Sequence, residues 1–144
     1  MEKTVYLIRH GESEGNIGNT YQSSESPLSD NGRRQAALIA ERVTKIPFDI
    51  IISSPLPRTK DTAEAIARVT NKIPEYSDLF IERVKPTNLV GKSHNDELAK
   101  KLAKEWGESL CTSGMRVEDG ENYDDLIARA DKALDFLQKH TERN

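Results

Sequence analysis

One cysteine, Cys111, and one tryptophan, Trp106, occur among the 144 residues. A lone cysteine excludes an internal disulfide framework and fits a reducing compartment. Cys111 stands among polar neighbours with no partner pattern and reads as incidental. No apolar run approaches the roughly 20 residues of a membrane helix. The first apolar run begins a few residues after Met1, which leaves no room for a visible signal peptide. Charge of one sign is not in excess either: 21 basic against 24 acidic residues give a net charge of −3. No Lys/Arg block and no aromatic-basic face is present, which argues against nucleic acid as a partner. Repeats and low-complexity tracts are also missing. Together these absences point to a cytoplasmic protein that engages neither nucleic acid nor membrane.

The length suits one domain, residues 1–144, able to bury a core without staples. Thr4-Val5-Tyr6-Leu7-Ile8 is apolar and β-branched, and reads as a buried strand. It ends at Arg9-His10-Gly11, where Gly11 permits a turn and a close ligand approach. Ligands of open α/β sheets bind outside the carboxyl ends of strands. A lone Arg-His-Gly is compatible with a plain solvated strand end, and the residues downstream decide against that. The polar stretch Glu12–Pro27 reads as a long loop. A helix then starts near Ser29, a candidate N-cap, with Ala36, Leu38, Ile39, Ala40 and Val43 as its apolar face and Pro47 beyond its end.

Asp49–Ser53 reads as a second buried strand, parallel to the first through a βαβ crossover. The turn Ser53-Ser54-Pro55-Leu56-Pro57-Arg58 leads into a helix over about 56–70. Arg58 lies in the first turn, where a cation opposes the helix dipole unless an anion is near. Arg9, His10 and Arg58 thus arrive at one sheet edge beside a helix N-terminus, the makings of a phosphate site. Further along, Ile73–Tyr76 reads as an edge strand, given Pro74. Helices are expected over about 95–106, with Leu98, Leu102 and Trp106 in one row, and over about 122–140, with a clear amphipathic stripe. Lys100, Lys101, Lys104 and Glu105 read as a solvated face, and Lys85 and Lys92 as surface charges.

These residues resemble the histidine phosphatase superfamily. Arg9-His10-Gly11-Glu12-Ser13 with Asn16 is similar to its nucleophile motif. Leu28-Ser29 with Gly32, Gln35 and Ala36 resembles its first-helix motif, and Ser53–Leu56 with Arg58, Thr62 and Ala63 its second phosphate-binding segment. Glu82 sits where the family places its proton donor, and Gly120–Tyr123 with Arg129 resembles the opening of its last helix. The resemblance implies a three-layer phosphoglycerate-mutase-like α/β fold, with a mostly parallel sheet flanked by helices. It also implies a phosphatase acting on a phosphorylated small molecule. His10 would attack phosphorus and become phosphohistidine. Arg9 and Arg58 would hold the phosphoryl oxygens, with Asn16 and Ser13 as neutral donors. Glu82 would protonate the leaving oxygen and then activate water. No metal or other cofactor is needed. For Glu82 the competing reading is a surface carboxylate paired with Arg83.

Two departures bear on this. The family places a second histidine, usually before glycine, at the end of a strand after the last helix. Here only Thr141-Glu142-Arg143-Asn144 come after that helix. His94 and His140 neither follow an apolar strand nor precede glycine, and read as structural or exposed. The expectation is a C-terminally incomplete domain, or a strand supplied by a partner chain as in a homodimer. The segment after Glu82 also lacks the Gly-Trp-like element of mutases, which favours a phosphatase over a phosphoglycerate-mutase-type transferase. A non-catalytic phospho-ligand binding module stays open as a third reading.

Overall fold

The computed structural model describes residues 4–140, so the segment Thr141–Asn144 lies outside the described residues. The chain forms two compact units. The first runs up to Ile17 and resumes over Glu25–Tyr76, and the second combines Gly18–Ser24 with the chain from Ser77 onward. No helix among the described residues is long and apolar enough to cross a membrane.

In the first unit, the short helix α1 (Glu14–Ile17) precedes α2 (Asp30–Val43), β1 (Ile51–Ser53), α3 (Pro57–Thr70) and β2 (Pro74–Tyr76). β1 and β2 pair in parallel, Ile51 opposite Pro74 and Ser53 opposite Tyr76. Pro74 fits there because an edge strand tolerates the missing N–H. α3 is the crossover between them, packed on both strands and on α2. Leu28, Ala36, Ala40, Val43, Ala65 and Ile66 form the buried core, joined by Ile39, Phe48 and Ile51. Alanines on the facing sides of α2 and α3 let the helices approach closely. α3 opens with Pro57 at its first position, where the absent N–H costs nothing. It closes on Asn71, whose φ of 54° places it in the left-handed region of a helix stop.

The run Thr4–Ile8 departs from expectation. It forms no strand, and Val5, Tyr6, Leu7 and Ile8 are all exposed, Leu7 to 93%. A run apolar on both faces belongs in a sheet interior, covered on both sides. Among the described residues the sheet consists of β1 and β2 alone, and the run pairs with neither. The expected crossover through α2 is therefore replaced by the one through α3.

In the second unit, α4 (Glu97–Glu108) is capped by Asp96, whose carboxylate accepts the N–H groups of Leu98 and Ala99. Ala99 is its buried contact, while Leu98 is 80% exposed, so the row of Leu98, Leu102 and Trp106 does not face inward as a whole. α5 (Tyr123–His140) opens with a reciprocal cap. Asn122 Oδ1 accepts the Asp125 N–H, and Asp125 Oδ2 accepts the Asn122 N–H. α5 has no fully buried residue. Leu89, Pro86 and Ser109 are the most deeply buried side chains of this unit. Gly18–Ser24 is tied in by a Thr20–Ser93 bridge, by the Tyr21 N–H donated to the Lys92 carbonyl and by the Gly91 N–H donated to the Tyr21 carbonyl.

The packing around Gly32 yields a test. A Cβ on Gly32 would lie 1.9 Å from the Glu12 carbonyl oxygen. Helix propensity alone would make Gly32→Ala stabilising by about 1 kcal/mol. Overpacking against backbone is expected to reverse the sign, with a net loss of roughly 1–3 kcal/mol in urea unfolding. A gain in stability would show that this approach does not exist.

Candidate active site

His10, Ser13, Asn16 and Arg58 are placed by short polar networks. Ser29, the N-cap of α2, accepts the Gly32 N–H at 2.9 Å and donates its hydroxyl to Glu12 Oε1 at 2.7 Å. The Ser29 N–H is donated to the Glu12 carbonyl, and the Glu12 N–H to Gln35 Oε1. Ser13 and Leu28 form an antiparallel bridge, and the Glu14 N–H is donated to the Pro27 carbonyl. The segment after His10 is thus strapped to the start of α2. Gly11 serves this strap: a Cβ there would lie 2.3 Å from the Gly32 carbonyl oxygen. Backbone-on-backbone packing against Gly32 is a further requirement at Gly11 that the sequence did not reveal.

His10 is half-buried, and its Nδ1 lies 2.6 Å from the Gly11 carbonyl oxygen. A carbonyl only accepts, so Nδ1 carries the proton of that bond. In the neutral ring the lone pair then resides on Nε2. The Gly11 N–H is donated to Thr62 Oγ1 at 3.3 Å, and the Thr62 hydroxyl to the Arg58 carbonyl at 2.8 Å. Thr62 therefore links the His10–Gly11 segment to the first turn of α3.

Arg58 is fully buried in that turn, and its Nη1 reaches the Ser26 carbonyl at 3.5 Å. Ser26 Oγ in turn accepts the Gly15 N–H at 2.7 Å. Ser26 is a buried junction that sequence reasoning missed, since nothing in its polar loop marks it. Ser13 is fully buried, and its N–H and hydroxyl are both donated to Asn16 Oδ1. That orients the Asn16 amide. Arg9 is exposed.

Glu82 belongs to the second unit, on irregular backbone. Its carboxylate is paired with Lys85 Nζ at 2.8 Å and remains 43% exposed. The pairing with Arg83 does not occur. Arg83 instead donates to the carbonyls of Glu121 and Trp106 and to Ser109 Oγ, and stacks 4.0 Å from the Trp106 ring centre. His94 packs edge-on against Tyr21, and His140 stacks on Phe136 and donates Nδ1–H to its carbonyl.

Glu121 and Arg129 form a two-bond fork of 2.6 and 2.7 Å. Burial pushes the Glu121 carboxyl up, but bonds from Arg129 and from the Val84 N–H outweigh it and hold the group below its ordinary value. The fork raises Arg129 correspondingly.

The family model for the histidine phosphatase superfamily (branch 1) matches residues 5–144. The chain belongs to that superfamily. It is 36% identical over 136 residues to a probable phosphoglycerate mutase of Photorhabdus laumondii, covering 91% of this chain and 61% of that protein. The corresponding Escherichia coli protein is 34% identical over the same shares. Among solved structures, a mycobacterial glucosyl-3-phosphoglycerate phosphatase with bound VO3 is 27% identical with a TM-score of 0.74, over 91% of this chain and 62% of that one. Bacillus stearothermophilus YhfR superposes with a TM-score of 0.79 at 22% identity, over 94% and 67% of the two chains. The fold is thus the phosphoglycerate-mutase-like α/β fold. The chain spans about three fifths of the length of the curated relatives it matches.

A group held below its unfolded value contributes stability above the ordinary carboxylate range and loses it as pH falls through the folded value. Stability should therefore drop in acid, below about pH 4. Glu121→Gln should flatten that decline without abolishing it, because Asp119 and Asp125 are also lowered by their bonds from Thr87 and Arg116. Urea unfolding across the acid range reads the slope, and an unchanged slope in Glu121→Gln would show that the fork plays no part in acid stability.

Proposed function

We propose that this protein is a phosphatase that hydrolyses phosphate monoesters of small molecules through a phosphohistidine on His10. The observation that carries the reading is the His10 Nδ1–H bond to the Gly11 carbonyl, which leaves Nε2 as the ring's nucleophilic atom. Arg58 adds to it, because it brings a guanidinium to the first turn of a helix, the end where an anion is favoured. Guanidinium groups of Arg58 and Arg9, with the oriented Asn16 amide, would hold the phosphoryl oxygens as charge spreads over them. Ser13 would contribute through Asn16.

In the first step the Nε2–P bond forms and the P–O bond to the leaving group breaks. The leaving oxygen takes its proton from Glu82. In the second step water attacks phosphorus, gives a proton to the Glu82 carboxylate, and inorganic phosphate leaves with His10 restored. The likeness to a 27% identical solved phosphatase supports hydrolysis. A mutase reading has its own support in the curated relatives named as probable phosphoglycerate mutases. In that case the phosphoryl group would return to a second hydroxyl of the substrate.

Hydrolysis of p-nitrophenyl phosphate beside His10→Ala tests the reading. Turnover should be abolished in the variant, and quenched wild-type protein should carry an alkali-stable, acid-labile phosphoryl group. Isomerisation of 3-phosphoglycerate without net phosphate release would favour the mutase. Phosphate binding with no turnover would favour a binding module.

A further inference from the structure

Glu82 stands on backbone that is neither helix nor strand, yet both flanks of it are fixed. On the N-terminal side, Arg129 Nη1 donates to the Leu79 carbonyl at 3.1 Å and to the Ile81 carbonyl at 2.7 Å. On the C-terminal side, Glu121 Oε2 accepts the Val84 N–H at 3.1 Å, and the Glu121 N–H is donated to the Val84 carbonyl at 2.9 Å. The neighbouring side chain is fixed as well, because Arg83 Nε donates to the Glu121 carbonyl at 2.8 Å. The Glu121–Arg129 fork couples the two flanks, with side chains only 12% and 18% exposed. Its partners are backbone groups on either side of the pair Glu82–Arg83, and the Glu82 carboxylate is left outside the clamp, against Lys85.

We infer that Glu121 and Arg129 are positioning residues whose task is to hold Glu82 in place as the acid of the reaction. The inference rests on the proposed role of Glu82. Arg129 suits the task because its planar fork can bind a carboxylate on one edge and carbonyls on the other. Lysine at this position would keep the charge and lose that geometry. A general acid misplaced by about 1 Å loses much of its contribution. The loss should be selective, since a proton donor matters for an alkoxide leaving group and little for p-nitrophenolate.

The test measures kcat/KM for p-nitrophenyl phosphate and for propyl phosphate, because kcat/KM reports the step in which the leaving group departs. Its readout is the ratio of the two, which uniform damage to the fold leaves unchanged. Glu82→Gln should raise the ratio about 100-fold, within the usual contribution of a general acid. Glu121→Gln should raise it roughly 10-fold, and Arg129→Lys should do the same to a smaller extent. The double variant Glu82→Gln with Glu121→Gln should be no worse than Glu82→Gln alone, since both act through one carboxyl. A ratio unchanged in Glu121→Gln and Arg129→Lys, while Glu82→Gln shifts it, would overturn the inference and leave the proposed function standing. A ratio unchanged in Glu82→Gln itself would overturn Glu82 as acid, and the clamp's role with it. Absence of wild-type turnover on both esters would do the same. If Glu121→Gln fails to fold, as thermal unfolding would show, Arg129→Lys alone decides.

Discussion

The serine hydroxyl at the start of α2 is the interaction on which the candidate site depends. Ser29 Oγ accepts the helix's Gly32 N–H and donates to the Glu12 carboxylate. One side chain thereby satisfies an orphan donor of the helix end and anchors the segment after the nucleophile. The contacts that define Gly11, Ser13 and Glu14 all lie along this strap. Much of the family motif around His10 and Ser29 is thus scaffold. Glu12, Ser29, Gly32 and Gln35 hold backbone, and the chemistry falls to the few side chains they leave exposed to it.

The second unit solves a similar problem with different means. No regular element carries Glu82, so side chains replace the hydrogen bonds that a helix or strand would supply. Arg83 and Arg129 donate to backbone carbonyls, and Glu121 accepts from an N–H. Bonds to charged groups are stronger than bonds between neutral ones. Here they give loop backbone a fixed geometry at the expense of burying charge, and the fork balances that charge locally. The depressed Glu121 carboxyl is the visible mark of that balance.

Local signals in the sequence were legible, and long-range ones were not. Ser29, the alanines after it and Pro47 define α2, and its observed span agrees. Pro57 and the apolar spacing after it place α3 as well. The edge strand at Pro74–Tyr76 is readable from its proline. Thr4–Ile8 shows the limit, because an apolar run reveals appetite for a sheet and not which strands it will meet. Gly11 shows another. Its partner, Gly32, lies 21 positions away, and no local pattern announces a backbone contact at that range. The arginine beside Glu82 was a misleading neighbour, because Arg83 turns to the Glu121 and Trp106 carbonyls while Glu82 pairs with Lys85. The Asn122–Asp125 spacing, by contrast, is a capping signature open to reading at the outset.

The two glycines that meet, Gly11 and Gly32, also shape what this sequence can become. A Cβ on Gly11 would meet the Gly32 backbone, and a Cβ on Gly32 would meet the Glu12 backbone. A single change at either position meets backbone, which cannot rotate aside as a side chain can. A change at one is not relieved by a change at the other, since glycine is already the smallest residue. Variation in descendants of this chain must therefore pass around both positions, through residues such as Arg33, Arg34 and Leu38 on the exposed side of α2. The contact acts as a fixed point in the protein's history as well as in its fold.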